Sequence, residues 1–113
     1  MSKGRYLGEF EHLVLLALLQ LENDGYGIAV RDLIEERTGR RAGIGSVYST
    51  LDRMHRKGWL ESFAAPPEPK RGGRTKTLYR VNQSGLAALK ASREMVEHMT
   101  RGLDLSDLPE AGR

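Results

Sequence analysis

Gly43-Ile44-Gly45-Ser46-Val47-Tyr48-Ser49-Thr50-Leu51-Asp52-Arg53-Met54-His55-Arg56-Lys57-Gly58 is followed, further along the chain, by the basic run Lys70-Arg71-Gly72-Gly73-Arg74-Thr75-Lys76. In the first stretch Val47, Leu51 and Met54 recur at i, i+4 and i+7, the period of a single helix face. Ser49, Arg53 and Arg56 fall opposite, flanked by Ser46 and Asp52. The spacing predicts a helix from Gly45 to about Lys57, stopped by Gly58. Leu60 to Ala65 and Thr77 to Val81 read as two strands. Pro66, Pro67 and Pro69 lie between them and cannot donate to a ladder, so that part is loop. The Gly72-Gly73 pair gives the loop a tip flanked by bases. A short helix with a polar outer face, then a basic hairpin, is the pattern of a winged helix-turn-helix. In that arrangement the helix enters a groove of duplex DNA and the hairpin holds the backbone beside it.

Charge supports this reading. Arg37 to Arg80 contains eleven Lys and Arg against three acids (Asp52, Glu61, Glu68), a net of +8, while the rest of the chain carries −5. The total of +3 hides a strong segregation. Segregated positive charge is the footprint of a polyanionic partner.

The preceding segments supply the first two helices of the motif. Glu9 to Glu22 reads as a helix, with Glu9 and Glu11 in its first turn, where a carboxylate suits the dipole. Leu13 to Leu19 leave it no polar face, and a helix apolar all round must be covered on all sides. One domain covers one side; a second subunit or the C-terminal helix covers the other. Asn23-Asp24-Gly25 is a turn. Tyr26 to Thr38 follows as a helix with Ile28, Ala29, Leu33 and Ile34 on its apolar face, ended by Gly39 in a left-handed conformation. Arg40 to Gly43 connects it to the next helix.

Asn82 caps a last helix, Gln83 to about Leu103. Leu86, Leu89, Val96, Met99 and Leu103 follow a 3-and-4 spacing broken at Ser92-Arg93, a packing seam against the first helix or a partner copy. With Leu13 and Leu16 these form the expected dimer interface. Residues 104–113 are polar, contain Pro109, and read as a frayed tail. Three parts result: a winged-helix domain with its N-terminal helix (1–81), a dimerisation helix (82–103) and the tail. The fold class is mainly α with a small β-hairpin.

At 113 residues the chain is one domain with a limited core, which favours dimerisation. It has no cysteine, which removes disulfides and thiolate metal sites. The most apolar stretch, Leu13 to Leu21, is too short to span a bilayer, and the N-terminus lacks a signal-like apolar region. The expectation is a cytoplasmic protein that does not enter a membrane.

Catalysis finds no support. His12, His55 and His98 sit on three different expected helices without a carboxylate-rich partner motif, so neither a metal site nor a catalytic set is expected. Gly39 to Gly45 has no Walker lysine and follows a helix, not a strand, which argues against a phosphate loop. No cofactor is expected. Trp59, at the helix-to-strand junction, reads as core or hinge packing. Tyr48 lies at the margin of the core stripe, where its hydroxyl reaches either a phosphate or a neighbouring carbonyl. Met95 and Met99 line either a ligand pocket or an interface. The candidate DNA-binding residues are Ser46, Tyr48, Ser49, Thr50, Arg53 and Arg56 on the helix and Lys70, Arg71, Arg74 and Lys76 on the wing.

The chain resembles the PadR family of bacterial transcriptional regulators. The resemblance rests on Leu13 to Leu19; on Gly25-Tyr26-Gly27-Ile28-Ala29; on Gly45 to Met54; on Lys57-Gly58-Trp59-Leu60-Glu61-Ser62; on Arg71 to Val81; and on Ser84-Gly85-Leu86-Ala87-Ala88-Leu89. Together these span about Leu7 to Leu103. The resemblance implies a winged-helix homodimer that represses transcription, a reader centred on Ser46 to Arg56 with Tyr48 near the backbone, a basic wing, and dimerisation through the first and last helices. A two-fold dimer in turn predicts a palindromic operator. The single C-terminal helix matches the short branch. Many members carry proline directly after the recognition-helix tyrosine; here Ser49 stands there. Short members that bind flat drugs use a tryptophan on the last helix, and none lies between Gln83 and Arg113. No residue pattern identifies a small-molecule inducer. The Thr50-Leu51-Asp52-Arg53 segment and the proline-containing wing look like members found beside transporter permease genes. The alternative from another class is a dimeric protein-interaction module without specific DNA recognition. Nonspecific RNA binding is disfavoured, because the wing has no stacking aromatics.

Overall fold

The computed structural model describes residues 6–22, 25–65 and 77–107. Three helices come first: α1 (Glu9–Gln20), α2 (Gly27–Thr38) and α3 (Ile44–Arg56). An antiparallel pair follows, β1 (Leu60–Ala64) with β2 (Thr77–Val81), and then α4 (Gln83–Thr100). The register sets Leu60 opposite Val81 and Ala64 opposite Thr77. The Tyr79 N–H donates to the Gly25 carbonyl at 2.9 Å, so Gly25, two residues before α2, adds a bridge on the other edge of β2.

The element ends follow from local chemistry. Gly39 closes α2 at φ +72°, its N–H donating to the Glu35 carbonyl, as its sequence position predicts. Gly58 turns the chain out of α3 at φ +86°. Asn82 caps α4: its Oδ1 accepts from the Gly85 N–H at 2.9 Å, while its Nδ2 donates to the Gly58 carbonyl. One side chain thus starts α4 and ties it to the end of α3. Beyond α4 the described residues end at Asp107, and the rest of the expected tail lies outside them. Gly102 takes φ +88°, and a short 3₁₀ turn forms at Leu105–Asp107, with Asp104 accepting from Ser106.

Val14, Leu15 and Leu18 of α1 are fully buried, together with Val30, Val47, Leu51 and Met54. Burying each such side chain is worth about 1.5–3 kcal/mol. Trp59, Leu60, Val81 and Ala88 extend this core beneath the hairpin and α4. The stripe expected on α3 is therefore the buried one, and Trp59 is core.

The face of α2 differs from expectation. Ile28 is 49% exposed, and Val30 is buried in its place beside Ile34. The buried set Gly27, Val30 and Ile34 keeps the 3-and-4 spacing; Ile28 is two positions from Val30 and turns to solvent. The break in α4 also has a cause. Ser92 is buried, and its hydroxyl accepts from the Leu7 N–H at 2.8 Å, anchoring the chain ahead of α1 to the middle of α4.

Candidate nucleic-acid interface

The core stripe of α3 fixes what its other faces present. Val47, Thr50, Leu51 and Met54 are buried, an i, i+3, i+4, i+7 set. Ser46, Tyr48, Ser49, Asp52, Arg53 and Arg56 are exposed. Thr50 is the correction here. At 3% exposure it belongs to the stripe, and its hydroxyl accepts from Arg53 Nη2 at 3.4 Å instead of facing outward. Arg56 is paired with Asp52 one turn earlier. Both side chains are exposed, so the pair adds little stability.

Tyr48 packs its ring against Gly27, the first residue of α2. Contact between these helices at this point therefore needs a residue without a side chain.

Arg53 has a partner that its spacing did not reveal. Glu11 of α1 is buried, and its Oε1 accepts from the Gly8 N–H at 2.8 Å, half of a capping box. Its Oε2 accepts from Arg53 Nε at 3.0 Å and from Lys57 Nζ at 3.1 Å. Burial pushes the Glu11 carboxyl up, but the Gly8 N–H, Arg53 and Lys57 together bring it below the ordinary value. The carboxylate is thus ionised near neutral pH and fastens Arg53 of α3, and Lys57 directly after it, to the start of α1. Arg53 nevertheless remains 49% exposed.

A cleft of about 580 Å³ opens beside the N-terminus of α3, between Phe10, Arg40, Arg41, Ser46, Ser49 and Arg53. In the sequence, Arg40 and Arg41 stand out only as charge on the connection between two helices. Arg40 pairs with Glu9 at 3.0 Å and lies over the Phe10 ring at 5.0 Å. The α2–α3 connection therefore brings bases to the same side as Ser46 and Ser49.

Lys70, Arg71, Arg74 and Lys76 lie outside the described residues. At the base of the hairpin, the Arg80 guanidinium sits over the Phe63 ring at 4.7 Å.

The expected dimer residues fall into two groups. Leu86, Val96, Met99 and Leu103 of the C-terminal region are exposed, Met99 at 78%. Leu89 packs partly against the chain's own core. Leu13 and Leu16 are half-buried and border a groove with Leu33, Ile34 and Arg37 of α2, so α1 is only partly covered by its own chain. Among the described residues no group of three or more His, Asp or Glu could hold a metal ion, and no helix is long and apolar enough to cross a membrane.

The sequence matches the transcriptional regulator PadR-like family over residues 15–91. No curated protein matches it. Among solved structures, a PadR family transcription regulator from Clostridium difficile R20291 is similar at 24% identity with a TM-score of 0.67, covering 83% of this chain and 93% of the other. A PadR family regulator from Eggerthella lenta gives 23% identity and a TM-score of 0.67, over 89% and 88% of the two chains. A PadR-like regulator from Bacillus cereus gives 19% and 0.68, over 97% and 98%. These likenesses confirm the winged-helix fold, and the family consists of transcriptional regulators, not enzymes. With the family pattern matched over most of its length, the chain belongs to the PadR-like family of transcriptional regulators.

Proposed function

We propose that the protein is a homodimeric transcriptional repressor of the cytoplasm that binds a palindromic operator. Helix α3 lies in the major groove, and the segment Lys70 to Lys76 contacts the backbone. The observation that carries this is the outer face of α3. Ser46, Tyr48, Ser49 and Arg53 are exposed together, with Arg40 and Arg41 bordering the same cleft. Short hydroxyls and guanidinium groups on an exposed helix face suit base edges and phosphates. Dimerisation is supported by the apolar side chains that α4 and α1 leave uncovered.

Selection from a pool of random duplexes tests the proposal. A two-fold dimer sets two reading helices roughly 34–36 Å apart, so selected sites should be inverted repeats with centres about ten base pairs apart, or a multiple. Recovery of single asymmetric sites would contradict it.

A further inference from the structure

We infer that Glu11, on the first helix and away from the reading face, is a positioning residue that sets the base selectivity of Arg53. This rests on the proposal that α3 reads DNA. The geometry is specific. Glu11 is buried, fixed at one oxygen by the Gly8 N–H, and its other oxygen holds Arg53 Nε. Arg53 Nη2 is steadied by the buried Thr50 hydroxyl. A guanidinium has five N–H donors in a rigid plane, so the two engaged here fix the plane and leave donors on its remaining edge. Arg53 is half-exposed, so that edge reaches solvent. Reading a base with two parallel hydrogen bonds needs this kind of fixed plane, because a freely rotating arginine binds phosphates equally well. Holding the guanidinium beforehand also removes the ordering cost from binding.

The carboxylate has a second effect, opposite in sign. It neutralises part of the positive charge of Arg53 and Lys57, which otherwise attract any duplex. Glu11 therefore favours selectivity at the expense of nonspecific affinity. A residue that merely stabilised the fold would raise both together.

The test is Glu11→Gln in the full chain, with binding measured to the selected operator, to operators substituted at each base pair, and to random duplex. The expected result is a drop in operator-to-random discrimination on the order of fivefold to tenfold, with random-duplex binding unchanged or tighter. In an Arg53→Ala background, Glu11→Gln should change discrimination no further. If Glu11→Gln does not fold, Glu11→Asp, which keeps the charge but shortens the reach, is measured in its place and should lose discrimination through the same base-pair positions. Full discrimination in the folded variant, or an equal further loss in the Arg53→Ala background, overturns the inference. If the unmodified protein itself shows no preferred duplex, the failure lies with the DNA-reading proposal instead.

Discussion

The ring of Tyr48 on α3 occupies the space where a side chain on Gly27 of α2 would stand. A Cβ there would meet the ring carbon Cζ at 2.5 Å. Gly85 at the start of α4 is as crowded, but against different atoms: its Cβ would meet the Trp59 carbonyl oxygen at 2.5 Å. The difference decides the outcome of alanine at each. An exposed tyrosine ring can swing aside, whereas backbone beneath the core cannot.

Gly85→Ala is therefore expected to cost about 2–3 kcal/mol, the upper part of the range for overpacking, and Gly27→Ala about 1 kcal/mol. Chemical denaturation of the two variants checks the order. Operator binding should reverse it in part. Gly27→Ala displaces Tyr48 from its place beside the reading face, so it should weaken binding more than its stability loss accounts for. Equal stability costs would show that α4 shifts as freely as the ring.

The exposed stripe of α4 gives a second prediction. Val96 and Met99 are exposed apolar side chains of a kind that a dimer interface buries. Sedimentation of the unmodified protein should give twice the 12.6 kDa chain mass. Val96→Glu with Met99→Glu should give a folded monomer, because neither side chain contributes to the chain's own core. Losing the link between two half-site contacts should then weaken operator binding by about 100-fold or more. A dimer that survives both charges places the interface elsewhere.

Much of the fold is legible in the sequence because its signals are local. Gly39, Gly58 and Asn82 announce helix ends through their own backbone and side-chain preferences, and Val47, Leu51 and Met54 announce a face by spacing. What escapes is long-range. Glu11 reads as an ordinary first-turn acid because its partners Arg53 and Lys57 are more than forty residues away in the chain. Ser92 reads as a break in a seam because its partner is the N–H of Leu7, 85 residues distant. Ile28 and Val30 are apolar neighbours of similar character, and only the crossing of α2 with α1 and α3 decides which is buried. Thr50 is a different case: it follows Val47 by three positions, so helix periodicity alone places it in the stripe.

Stability should fall on acidification in two stages. His12 has a buried Nε2 without a partner in the described structure, and burial, with Arg93 nearby, holds its pKa below the ordinary 6.5. The unfolded chain then takes up a proton first. Its stabilisation is complete above about pH 6.5 and is lost as pH falls from there through the folded-state value. Glu11 has a depressed pKa, so its contribution is present above about 4.5 and is lost as pH falls through its lower folded value. Thermal melts between pH 8 and 3 check both. His12→Leu should flatten only the first stage and Glu11→Gln only the second. A single-stage loss unaffected by His12→Leu would show that its buried nitrogen is hydrated in solution.

Binding should fall steeply with salt, and the segment between the strands should carry part of the slope. The window from Arg37 to Arg80 holds a net +8, and two copies in a dimer offer more cations than can touch phosphates. Several are already engaged within the protein: Arg40 with Glu9, Arg53 and Lys57 with Glu11, Arg56 with Asp52. If roughly six to eight phosphate contacts form, log K should fall against log salt with a slope of about −5 to −7. Replacing Lys70, Arg71, Arg74 and Lys76 together with glutamine should flatten this by a few units, each lost contact removing about one. Arg71→Ala with Arg74→Ala should weaken operator and random duplex alike, since a backbone contact carries no sequence information. Arg53→Ala should instead cost about 1–3 kcal/mol on the operator and little on random duplex. A slope unchanged by neutralising the segment would take it off the DNA. A protein-interaction module would differ from all of these: its duplex binding would show no preferred sequence at any salt concentration.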